Sequence, residues 1–245
     1  ENNYIVVAQW GIRKNLDNTI RWFVEQFKDR EDVGLVVKTN LIADSIPDRL
    51  ATTARLEHLL ESNYPDRKCK IYLLHGEVST GELAWLYEHP SMKAMINIGH
   101  GEGFGLPIFE AVCHGLPVIT TSWSGQNDFI HTLNKKGKKM PRFIKVDFDL
   151  DNIQDQAVWP GILVKDSKWC YAKEASYKKA LQTALEKETH CRKQAEILQT
   201  HVLKTFTPEI KNGEFINAMD LNFESGPQAA DNWLSEIEDI VREYE

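Results

Sequence analysis

The stretch Ile96-Asn97-Ile98-Gly99-His100-Gly101-Glu102-Gly103-Phe104-Gly105-Leu106-Pro107-Ile108-Phe109-Glu110-Ala111 admits few folds. The run from Ala94 to Ile98 is short and largely apolar, which suits a strand covered on both faces. Gly99, Gly101, Gly103 and Gly105 then permit tight turning and close approach to the backbone. Pro107 fits the first turn of a helix, whose apolar stripe begins at Ile108, Ala111 and Val112. A glycine turn feeding a helix N-terminus presents N–H groups and a positive dipole end, so it suits an anion such as phosphate. Glu102 and Glu110 flank this cradle, and ionised carboxylates make strong hydrogen bonds to hydroxyl groups. A phosphate cradle with a carboxylate on each side is what a sugar–diphosphate–nucleoside would need. Taken alone, the same pattern also fits a plain glycine-rich loop with one solvated and one first-turn glutamate.

The rest of the chain sets that stretch among alternating strands and helices. Strands are expected at Tyr4 to Ala8, Val33 to Val37, Lys70 to Leu74 and Pro117 to Thr121. Helical patterns run from Asn15 to Lys28, with Ile20, Phe23, Val24 and Phe27 on one face, and from Ile46 to Leu60, with Leu50, Ala54, Leu56 and Leu59. A short helix is expected from Gly81 to Tyr87. Such alternation implies βαβ units and a doubly wound parallel sheet of the α/β, Rossmann-like class. Ligands of such sheets bind at the carboxyl ends of the strands, where strand order reverses.

Glu102-Gly-Phe-Gly-Leu-Pro-x-x-Glu110-Ala111, followed by Gly115-Leu-Pro-Val-Ile119, resembles the glutamate–seven–glutamate motif of retaining glycosyltransferases of family GT4. The resemblance covers roughly residues 4 to 130. It implies the C-terminal, donor-binding half of a two-domain GT-B architecture. It also implies transfer of a sugar from a nucleotide-sugar donor with retention of anomeric configuration. In that reading Glu102 and Lys14 are the catalytic residues. Glu110 binds the ribose, and Gly103, Phe104, Gly105 and Leu106 cradle the diphosphate. Gln9-Trp-Gly-Ile-Arg13-Lys14-Asn15 resembles the family's first loop, in which an Arg and a Lys hold the diphosphate. Lys14 matches the Lys, whereas Gln9 stands where the family has Arg. A neutral amide cannot offset diphosphate charge, which leaves compensation to Arg13. Leu74-His75-Gly76-Glu77-Val78-Ser79 resembles the loop that receives the nucleobase, with Val78 as a contact. The loop from Thr121 to Asp128 resembles the small-residue loop near the diphosphate. His75 and Trp123 are expected to be structural, and His100 is compatible with either a donor contact or a satisfied turn.

Composition bounds the remaining choices. The chain has 245 residues, 42% of them hydrophobic, enough to bury a sizeable core. A net charge of −7 argues against nucleic acid as the partner. Cys69, Cys113, Cys170 and Cys191 show no CxxC spacing, so reduced thiols and no zinc site are expected. By the resemblance, positioning and electrostatics carry the transfer, so no metal and no cofactor beyond the donor are expected. No apolar run is long enough to span a membrane. A cytoplasmic location follows, with peripheral membrane contact left to the full-length protein. The chain starts at Glu1 without methionine and enters a strand at once, as expected of a domain cut from something longer.

After Asn134 the signals thin. The basic run Lys135, Lys136, Lys138, Lys139 and Arg142 reads as a solvated hairpin or loop, and Trp159 to Lys165 as another short strand. Tyr171 to Leu203 reads as a long helical region, and Thr207-Pro208-Glu209 as a new helix start. The donor domain is expected over residues 1–220, with a helical extension over 221–245. There Trp233, Leu234, Ile237, Ile240 and Val241 line a closing helix from Asn232 to Tyr244. By the resemblance, that helix would pack on an absent N-terminal, acceptor-binding domain, leaving weak self-association as a consequence of its exposure. Two readings from other classes stand beside the transferase. One is a non-catalytic nucleotide-sugar-binding module, and the other a glycosidase using Glu102 and Glu110 as its carboxylate pair.

Overall fold

A computed structural model describes residues 1–219. The first half alternates strictly. The strands are β1 (Asn2–Val7), β2 (Val33–Thr39), β3 (Lys70–His75), β4 (Met92–Asn97) and β5 (Val118–Thr121). Helices α1 (Leu16–Phe27), α2 (Ile46–Glu61), α3 (Thr80–Glu88) and α4 (Leu106–Cys113) lie between them. Then come β6 (His131–Leu133), β7 (Lys139–Pro141), β8 (Ile144–Val146), β9 (Phe148–Asn152) and β10 (Lys168–Ala172). Helices α5 (Glu174–Glu186), α6 (Glu188–Thr205) and α7 (Pro208–Ala218) follow. The chain divides after Leu203 into two compact units, the second of which contributes α7. Thr207 caps α7 by accepting a hydrogen bond from the Ile210 amide. The expected boundary at 220 and the closing helix Asn232 to Tyr244 lie outside the described residues.

Six strands form one parallel sheet in the order β3-β2-β1-β4-β5-β8. The chain builds outward from β1 to β3, then crosses back to lay β4 on the other side of β1. Strand order therefore reverses between β1 and β4, and a crevice opens at their carboxyl ends. The central strands are buried on both faces, which explains their continuous apolar runs. On one face Tyr4, Val6, Leu35, Val37, Ala94 and Ile96 pack in one core with residues of α1, α2 and α5. Tyr4, Phe23 and Phe27 meet with ring centroids 5.1–5.8 Å apart. The Tyr4 hydroxyl donates to the Leu181 carbonyl at 2.8 Å, and Tyr177 to that of Thr19 at 3.1 Å, so both buried phenols are satisfied. Helices α3 and α4 contact β4.

Helix α2 buries Leu56 and Leu59 together with Asp48, Thr52 and Leu60, while Leu50 and Ala54 are exposed. Two expectations need correction. The run from Trp159 to Lys165 is no strand. It closes a tight turn in which Trp159 and Leu163 exchange backbone hydrogen bonds around Gly161 at φ +79°. The long helical region starts only at Glu174, because Lys168–Ala172 pairs antiparallel with Phe148–Asn152, and it breaks at Lys187. The basic run lies around the β6–β7 hairpin, as a solvated hairpin would.

Candidate functional site

The crevice is built from two loops that the topology lays side by side. The loop after β1 turns through a short 3-10 segment, Ile12–Lys14, and Asn15 ends it in the left-handed region at φ 54°. Asn tolerates that conformation better than most residues. Its buried amide donates to the Ile98 carbonyl at 3.1 Å, and the His100 amide donates to the Arg13 carbonyl at 2.8 Å. The loop after β4 is thereby fixed against the loop after β1.

Glu102 is the centre of that junction. Its carboxylate, 6% exposed, accepts from the Lys14 ammonium at 2.6 and 2.7 Å and from Asn97 Nδ2 at 3.0 Å. Arg13 donates to the same carboxylate at 3.2 Å and also to the Gly101 carbonyl. Burial alone pushes this carboxyl up. The Asn97 hydrogen bond and the two cations outweigh burial and hold it below the usual carboxylate range. The backbone of Glu102 is braced as well. Its amide donates to Ser124 Oγ at 3.0 Å, and its carbonyl accepts from the Ser124 hydroxyl at 2.5 Å and from the Gly125 amide at 3.1 Å. Ser124 sits at φ 72°, ψ −162°, a region that non-glycine residues seldom enter. A Cβ at Gly125 would fall on the Gly103 carbonyl oxygen, so only glycine lets these two loops close up.

Gly105, at φ +91°, is the residue before α4, and Leu106 and Pro107 open the helix. The amides of Gly103, Gly105 and Leu106 have no acceptor among the described residues, as expected of a helix start. Phe104 packs at 5.0 Å from Phe129 and 5.2 Å from Phe109, which anchors the turn from below. The carboxylate of Glu110, one turn into the helix, makes no hydrogen bond to a described residue. Partial burial raises its carboxyl pKa, opposed by His114 and Lys38.

Gln9 donates its amide to the Leu41 carbonyl at 2.8 Å, so Arg13, not Gln9, joins Lys14 at Glu102. His75 meets Asp48 at 2.7 Å, and Asp48 also accepts from the amides of Leu41, Ile42 and Ala43. His100 is 2% exposed, its Nδ1 lies 2.7 Å from the Cys170 carbonyl, and its ring stacks on Trp169 at 5.2 Å. Trp123 packs near Phe148 at 6.2 Å. Val78 lines an apolar cavity of about 400 Å³ with Leu74 and Trp85. Sequence reasoning gave no role to Asn97 and Ser124, although both lie in stretches it singled out, and it passed over Lys38. Lys38 lies at the end of β2, half-buried, and its ammonium has no ion-pair or hydrogen-bond partner among the described residues. Its position inside an apolar strand was the available signal. Among the described residues no three His, Cys, Asp or Glu side chains gather as a metal site. No described helix is long and apolar enough to cross a membrane.

No protein-family model and no curated protein matches the sequence. Solved structures do match the fold. Sucrose-phosphate synthase of Thermosynechococcus elongatus aligns at 16% identity and TM-score 0.59, over 89% of this chain and 45% of its own. A TarM mutant of S. aureus, in complex with fondaparinux, alpha-GlcNAc-glycerol and UDP, aligns at 15% identity and TM-score 0.53, over 89% of this chain and 35% of its own. The C-terminal domain of a group 1 family glycosyl transferase, LpcC of Francisella tularensis, aligns at 17% identity and TM-score 0.54, over 84% of this chain and 87% of its own. The chain thus spans less than half the length of the first two. Its parallel six-stranded sheet with flanking helices has the Rossmann-like fold of the C-terminal domains of GT-B glycosyltransferases.

Proposed function

We propose that this chain is the donor-binding part of a retaining glycosyltransferase that takes its sugar from a nucleotide-sugar donor. One observation supports this above the others. At the point where strand order reverses, Lys14, Arg13 and Glu102 gather beside the N-terminus of α4, with Glu110 one turn further along it. In this reading the donor diphosphate lies on the amides of Gly103 to Leu106 and draws Lys14 and Arg13 toward it. The bond from the sugar's anomeric carbon to the diphosphate breaks as an acceptor hydroxyl oxygen bonds to that carbon from the same face; the electron pair stays on the departing phosphate oxygen, which takes up the hydroxyl's proton. Lys14 and the helix N-terminus stabilise that growing charge without a metal ion. Glu102, freed in part from its cations, accepts from the sugar hydroxyls, and Glu110 from the ribose. Lys38 supplies the further positive charge that Gln9 does not. The acceptor site and complete turnover belong to a further domain. The engagement of Gln9 with Leu41 favours a second reading, a module that binds the nucleotide sugar without transferring it.

Titration of a nucleoside diphosphate into the chain tests the proposal. Glu110→Ala is expected to weaken binding by about 1.5–3 kcal/mol, the range for a hydrogen bond to a charged group. Glu102→Ala is expected to leave that affinity unchanged or raise it, because it releases Lys14 and the bare diphosphate carries no sugar. EDTA is expected to have no effect. If neither substitution changed the affinity, the cradle would hold no nucleotide sugar. Turnover of the donor by the full-length protein separates the enzyme from the module.

A further inference from the structure

A cavity of about 390 Å³ lies between edge strand β8 and helices α5 and α6. Pro117, Val118 and Ile144 line it at the amino ends of β5 and β8, the opposite end of the sheet from the crevice. Its charge runs against that of the chain. Arg142, Lys145 and Lys179 face a single carboxylate, Asp147, which Lys145 already pairs at 2.9 Å. The protein as a whole carries −7. Arg142 is half-buried, and its guanidinium has only neutral partners among the described residues. Its Nε donates to Thr132 Oγ1 at 2.8 Å and its Nη1 to Gln194 Oε1 at 2.6 Å, which fixes the guanidinium and leaves Nη2 without an acceptor among the described residues. The Lys179 ammonium and the His190 ring, which line the same cavity, also lack partners among the described residues.

A partly desolvated guanidinium with no counter-charge is an unfavourable arrangement unless an anion completes it. One carboxylate would leave a cation over. A phosphoryl group carries up to two charges and three terminal oxygens, one for each free donor. The remaining wall sets the apolar Pro117, Phe143 and Ala180 beside the hydroxyls of Ser176 and Thr183, and the volume suits a small organic molecule more than a bare ion. We propose that this cavity binds a small phosphomonoester, its phosphoryl group on Arg142, Lys179 and His190 and its organic part against Pro117 and Phe143. The site is separate from the crevice and does not depend on the function proposed for it.

Calorimetric titration of the chain with ribose 5-phosphate, inorganic phosphate and ribose tests this. Ribose 5-phosphate is expected to bind about tenfold tighter than inorganic phosphate, and ribose not at all. Lys179→Met, which breaks no hydrogen bond or ion pair among the described residues, is expected to weaken ribose 5-phosphate about tenfold, the loss of one charged hydrogen bond. It should leave nucleoside diphosphate affinity as it was. Absence of binding by the parent would overturn the proposal. So would loss of binding in Lys14→Met with none in Lys179→Met, which would place the ligand in the crevice. Equal affinity for inorganic phosphate or for ribose would overturn the assignment of a phosphomonoester.

Discussion

Glu102 and Lys14 sit 88 positions apart in sequence and 2.6 Å apart in space, and their pairing sets the electrostatics of the crevice. A carboxylate 6% exposed is costly to keep ionised unless its partners are close. Here Asn97 and two cations provide that, and the carboxyl is held below its ordinary pKa near 4.5. The consequence for stability has a definite sign. A carboxyl with a depressed folded-state pKa favours folding above its unfolded pKa, and the contribution fades as pH falls toward the folded value. Glu102→Gln is therefore expected to be less stable than the parent at neutral pH. Loss of the charged partner of Lys14 should amount to about 1–3 kcal/mol. Below about pH 4.5 the gap should narrow, because the parent's carboxyl then begins to protonate as well. Melting temperature against pH for the two proteins checks this. Parallel curves would mean that the carboxyl is not ionised against Lys14 in the folded state.

The β9–β10 hairpin shows what one element does for the site and why it escaped sequence reasoning. His100 holds it from inside the loop after β4, with its ring on Trp169 and its Nδ1 at the Cys170 carbonyl, while the Cys170 amide donates to the His100 carbonyl at 3.0 Å. His100→Ala removes the stack and leaves the Cys170 carbonyl without its imidazole partner. A local loss of about 1–3 kcal/mol is expected. Hydrogen exchange should quicken over residues 148–152 and 168–172 while β1, β4 and β5 keep their protection. Uniform acceleration would instead make the hairpin part of the sheet's own cooperative unit. The central strands β1, β4 and β5 were legible because burial on both faces leaves largely apolar runs. Phe148-Asp-Leu-Asp-Asn152 carries three residues that disfavour strands, and Ile144–Val146 is too short to show a period. The apolar run from Trp159 to Lys165 points the other way, since Pro160 and Gly161 turn it back on itself. In the site, the glycine turn and its helix were readable as local sequence. That Arg13 and Ser124 also meet Glu102 was not, because no local pattern encodes contacts made between loops 89 and 22 positions apart.

At the scale of the sheet, the two faces carry unequal loads. Phe23 is fully buried in the core formed with α1, α2 and α5, touching Tyr4 and Phe27. On the other side of the sheet α3 buries only Tyr87 and leaves Trp85 62% exposed. Size alone would rank Trp85 above Phe23, yet stability depends on the area withdrawn from water and on the void left behind. Phe23→Ala is expected to cost about 3–5 kcal/mol, since the rings around it cannot close over a lost aromatic side chain. Trp85→Ala should stay within about 0.5 kcal/mol, as for a surface change that breaks no hydrogen bond or cap. Urea unfolding of both variants, with the slope of the transition unchanged, measures the difference. The crevice lies on the strands this core supports, so Phe23→Ala should also lower the urea concentration at which nucleoside diphosphate binding is lost, and Trp85→Ala should not. Equal losses in the two variants would show that α3 holds the sheet as firmly as α1 does, and the burial of Phe23 would then not be what keeps the loops after β1 and β4 in register.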